Sequence, residues 1–90
     1  MNLIKKINNV IDNCKKEQEN SYPYLPSIIA ILEQMKDVYA NRNNDKEIKK
    51  KLNAGIGKLV MDNMSFAESE LGILILEVAT EFYDASWEVS

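Results

Sequence analysis

The chain has 90 residues, 46% of them apolar and 28% charged, with a net charge of −3. That balance excludes a purely disordered chain, and the length suits one domain, 1–90, with a modest core. A single cysteine, Cys14, excludes an internal disulfide, and the absence of histidine removes the commonest general base and metal ligand.

The first predicted helix covers about Asn2 to Glu19. Leu3, Ile4, Ile7, Val10, Ile11 and Cys14 recur at the spacing of one buried helical stripe, with Lys5, Lys6, Asp12, Lys15 and Lys16 off it. Cys14 thereby reads as a small core residue. The segment Tyr22-Pro23-Tyr24-Leu25-Pro26 breaks this helix, because each proline pushes the residue before it toward extended geometry. Tyr22 and Tyr24 are expected to pack over one end of the molecule.

Pro26 can open the second helix, which runs to about Asn41 with Ile28, Ile29, Ile31, Leu32, Met35, Val38 and Tyr39 on a wide apolar face. Asn44 followed by Glu47 has the spacing of a helix cap. The third helix then extends to about Asp62, with Ile48, Leu52, Ile56, Leu59 and Val60 inward and Lys46, Lys49, Lys50 and Lys51 in its first turns. Ser65 followed by Glu68 repeats the cap spacing and predicts a fourth helix to about Asp84, extending as far as Trp87. Four helices on short links predict an all-α fold, an antiparallel four-helix bundle.

Little in this pattern supports catalysis. One cysteine without histidine gives no zinc set, and the Glu-x-x-His pairs of di-iron bundles are missing. Asn53-Ala54-Gly55-Ile56-Gly57-Lys58 lacks the earlier glycine and the following Ser or Thr of a phosphate loop. Those glycines instead loosen the third helix or admit a close neighbour. No enzyme activity, cofactor or metal is expected. The lysines at 46–51 have no interleaved aromatics, which disfavours a nucleic-acid partner. The first residues lack the apolar run of a signal peptide, and no stretch reaches the ~20 residues of a transmembrane segment, so a cytoplasmic location is expected.

Charge is distributed unevenly. Residues 1–60 hold all eleven bases against seven acids, and residues 61–90 hold seven acids and no base. On a wheel of about 100° per residue, Glu70, Glu77, Glu81, Asp84 and Glu88 form one acidic stripe. Leu71, Leu74, Ile75, Val78 and Phe82 make an ordinary core face. Ile73, Leu76, Tyr83 and Trp87 make a second apolar face beyond the stripe. A surface helix needs one apolar face, so the second is either buried, within the bundle or in a homodimer, or kept for a partner. Glu70, Ile73, Glu77, Glu81, Tyr83, Asp84 and Trp87 are therefore the candidate partner-binding residues, their acids matched to a basic partner and their aromatics to binding hot spots.

The helix–proline loop–helix start from Leu3 to Tyr39 and the acidic final helix beginning Ser65-Phe66-Ala67-Glu68-Ser69-Glu70-Leu71-Gly72 make the chain resemble the small helical immunity proteins of bacterial toxin and bacteriocin systems. The resemblance implies a bacterial protein that binds and neutralises a cognate toxin, with a basic toxin domain as partner. It differs from members that resist pore-forming bacteriocins, since no basic tail is present. A self-associating, homodimeric structural or regulatory protein is the alternative expectation.

Overall fold

The computed structural model describes residues 3–17, 23–41 and 45–84. These form five helices and no strand: α1 (Leu3–Glu17), α2 (Leu25–Ala40), α3 (Lys46–Met61), α4 (Met64–Ala67) and α5 (Glu70–Asp84). The all-α expectation is met.

Each long helix turns its apolar stripe inward. Leu3, Ile7, Val10, Ile11 and Cys14 of α1 are buried, as are Leu25, Ile28, Leu32 and Met35 of α2. Ile56 and Val60 of α3 and Ile75, Val78, Ala79 and Phe82 of α5 complete the core, with Ala67 of α4. No polar or charged residue is buried among the described residues. The core is thus held by apolar burial, at roughly 25 cal/mol per Å² removed from water.

α1 packs against α2 and α5, and α3 packs against the same two helices from the other side. Lys6, early in α1, reaches Glu81, late in α5, at 2.6 Å. Asn8 accepts a hydrogen bond from Lys36, late in α2, at 3.1 Å. α1 therefore runs opposite to both neighbours.

The helix starts differ from expectation in instructive ways. α2 opens on fully buried Leu25 with Pro26 in its first turn, where a missing N–H costs nothing. Asp45 caps α3, its carboxylate accepting from the backbone N–H groups of Glu47 at 2.9 Å and Ile48 at 3.4 Å; Asn44 lies outside the described residues. The predicted continuous helix from Ser65 is corrected. Asn63 caps the short α4 by accepting from the Phe66 N–H at 3.2 Å, and Ser65 lies exposed inside that helix.

Ser69 then starts α5. Its hydroxyl donates to the Phe66 carbonyl at 2.5 Å and accepts from the Gly72 N–H at 3.0 Å. The turn folds α4 tightly onto α5. A Cβ at Gly72 would lie 2.0 Å from the Phe66 carbonyl oxygen and 2.9 Å from the Ala67 Cα. Only glycine permits this approach. Gly55 and Gly57 have no such role: a Cβ at Gly55 would meet Ile31 at an ordinary 3.5 Å, and one at Gly57 would meet nothing within 4 Å.

Candidate functional site

The helix α5 buries one side and leaves the other open. Gly72, Ile75, Val78, Ala79 and Phe82 face inward. Glu70, Ile73, Leu74, Glu77, Thr80, Glu81, Tyr83 and Asp84 are exposed, and Leu76 is half-buried between the two sides. Ile73 is 47% exposed and Tyr83 44%. Of the second apolar face, Ile73 and Tyr83 thus meet solvent on the single chain rather than packing inside it. Leu74, expected in the core, is 36% exposed and flanks the acidic stripe. Trp87 and Glu88 lie outside the described residues, as does Tyr22. Tyr24, expected to cover one end, is exposed.

The acidic stripe is present but uneven in its electrostatics. Glu81 is paired with Lys6, both side chains remaining partly in water, so the pair contributes no more than about 0–1 kcal/mol. Glu70 and Glu77 have no ion pair among the described residues. Near the end of α5, Lys46 and Lys49 of α3 line a small cleft of about 260 Å³ together with Tyr83. Chain folding therefore brings cations from α1 and α3 to the C-terminal end of α5.

This distribution also makes sense of the helix dipole. Glu70 sits in the first turn of α5, where negative charge is favoured, whereas the last turn carries acids and no base. The unfavourable end is the one attended by Lys6, Lys46 and Lys49.

A shallow cleft of about 390 Å³ lies on the exposed side of α5, lined by Ile73, Leu76, Glu77, Thr80 and Glu81. Sequence periodicity places four of these residues on the second apolar or acidic arcs but gives no reason to single out Thr80. Other clefts lie among the described residues. One, of about 560 Å³, is lined by Ile4, Glu33, Gln34, Lys36, Asp37 and Ala40. Its polar groups are already engaged within the chain, since Lys36 meets Glu33 at 3.3 Å and Asn8 at 3.1 Å, and Asp37 accepts from Asn41 at 3.3 Å. Another lies along the lysines of α3, with Glu47, Ile48, Lys50, Lys51 and Ala54.

No group of three or more potential metal ligands gathers among the described residues. No helix among them is long and apolar enough to cross a membrane. Cys14 is fully buried. Comparison with protein-family models, curated proteins and solved structures finds no significant match to this chain.

Proposed function

We propose that the chain is a non-enzymatic binding protein of the immunity type, which neutralises a cognate bacterial toxin in the cytoplasm by masking a basic toxin domain with α5. The architecture is read as an antiparallel four-helix bundle of α1, α2, α3 and α5, with α4 forming part of the connection between the last two. The observation that carries the function is the outer side of α5. Exposed Ile73 and Leu74 lie beside Glu70 and Glu77, which carry negative charge without an ion pair among the described residues, and Tyr83 is exposed further along the same helix.

Apolar side chains ringed by like charge suit a heterologous partner of opposite charge, because the charges steer the encounter and the apolar contacts hold it. A homodimer is the second reading, favoured by the exposure of Ile73 and Leu74. Pairing α5 with its own copy would set Glu70, Glu77 and Asp84 against the same residues with no base on either helix, so the basic partner is preferred. The α3 lysines remain a solvated face in this reading, and nucleic acid is not the assigned partner.

The test is capture from lysate with wild type beside the Glu70→Lys/Glu77→Lys variant. Both positions are exposed and carry no ion pair among the described residues, so the variant should keep its helical circular dichroism. A basic protein retained by wild type, lost by the variant, and toxic when expressed without the chain supports the inhibitor. Equal capture by both proteins removes it. A wild-type dimer in sedimentation, with nothing captured, moves the assignment to self-association.

A further inference from the structure

We infer that the cleft on α5 receives a basic amphipathic helix of the partner. This rests on the binding reading above and narrows it from a charged surface to a particular mode of docking.

The starting point is ridge geometry. Ile73, Glu77 and Glu81 are four residues apart and form one ridge of α5; Leu76, Thr80 and Asp84 form the next. Rows at this spacing are the ridges that interdigitate when two helices pack, with a crossing angle of about −50° in the commonest class. The cleft lies between these rows, with half-buried Leu76 as apolar lining and the short side chain of Thr80 beside it. Its shape is that of a helix-packing groove on which no second helix packs among the described residues.

Other modes of peptide recognition fit poorly. A strand would need an edge with free backbone groups, which a helix surface does not offer. A polyproline segment would need an aromatic-lined groove, and this lining holds no aromatic residue. A second copy of α5 would place Glu77 and Glu81 against their own counterparts. Charge complementarity therefore selects a helix with an apolar anchor row for Leu76 and Ile73 and Lys or Arg beside it for Glu77. Glu81 contributes less, because Lys6 already holds it at 2.6 Å.

The experiment uses the full chain, isotope-labelled for amide NMR. The probe is a synthetic peptide of about 18 residues, long enough to form a helix, with Leu at i, i+3, i+4 and i+7 and Lys elsewhere. A scrambled peptide of the same composition keeps its charge and loses its apolar row. The expected result is affinity at least about tenfold greater for the amphipathic peptide, with shifts centred on Ile73, Leu76, Glu77 and Thr80. Thr80→Arg, which fills the groove and adds repulsion, should weaken binding at least about tenfold, and Thr80→Ser should not.

Equal binding of the scrambled peptide, shifts centred on another helix, or undiminished binding by Thr80→Arg would each overturn the inference. A dimer of the free chain that Thr80→Arg dissociates would also overturn it, by giving the groove to a second copy. Loss of peptide binding by wild type together with charge-dependent toxin capture would leave the inhibitor standing and end only the helical mode.

Discussion

α1 and α5 have the same length, 15 residues, and sit side by side, yet they use their surfaces differently. On α1 the buried residues Leu3, Ile7, Val10, Ile11 and Cys14 account for the apolar content almost entirely, with half-buried Ile4 beside them. On α5 a comparable buried set is accompanied by Ile73, Leu74 and Tyr83 in solvent. Folding explains α1. It explains only half of α5, and the remainder is apolar surface that a solvated helix has no need to carry.

That contrast can be broken at several points. The largest effects belong to the inner faces, which should be equivalent. Phe82→Ala on α5 should cost about 3–5 kcal/mol and Ile7→Ala on α1 about 2–5 kcal/mol, read from the midpoint shift in urea unfolding. A small loss at Phe82 would mean that α5 is not a core helix at all.

Next comes the approach of α4 to α5. Gly72→Ala should destabilise by roughly 1–3 kcal/mol through forced separation of backbone atoms, whereas Gly57→Ala, with open space around it, should stabilise by about 0.5–1 kcal/mol. Thermal unfolding of the two variants should move in opposite directions. Movement in the same direction would show that the α4–α5 turn can open to admit a methyl group.

The smallest effect is the most discriminating. Ile73→Ser and Leu74→Ser should each cost no more than about 1 kcal/mol, since both side chains are only part-buried on the single chain, while weakening partner capture. A loss comparable to Ile7→Ala would show that the outer side of α5 is covered within the protein itself, by a second copy or by part of the chain.

Much of the contrast is legible in the residue order. The stripe of α1 is periodic enough that its buried residues follow from spacing alone, and the proline pair marks the break before α2, whose buried Leu25 lies in the segment read as that break. The acidic stripe follows from the same arithmetic, and so do the exposed positions of Glu70, Glu77 and Asp84. The start of α5 is less accessible. Ser65 and Glu68 have the cap spacing, but Ser69 does the capping, with glycine rather than glutamate three residues on. A local motif identifies residues able to cap; it does not say which backbone will turn there.

What the sequence determined by itself was helical class, most of the inward positions and the separation of bases from acids along the chain. Tertiary structure decided what separation in sequence could not. Antiparallel packing brought Lys6 to Glu81, and the packing of α3 on α5 brought Lys46 and Lys49 to Tyr83, so Glu81 is ion-paired while Glu70 and Glu77 have no ion pair among the described residues. It also decided which glycine was indispensable. Periodicity describes one helix at a time, whereas charge balance and close approach depend on what a neighbouring helix presents, and that is fixed only when the helices pack.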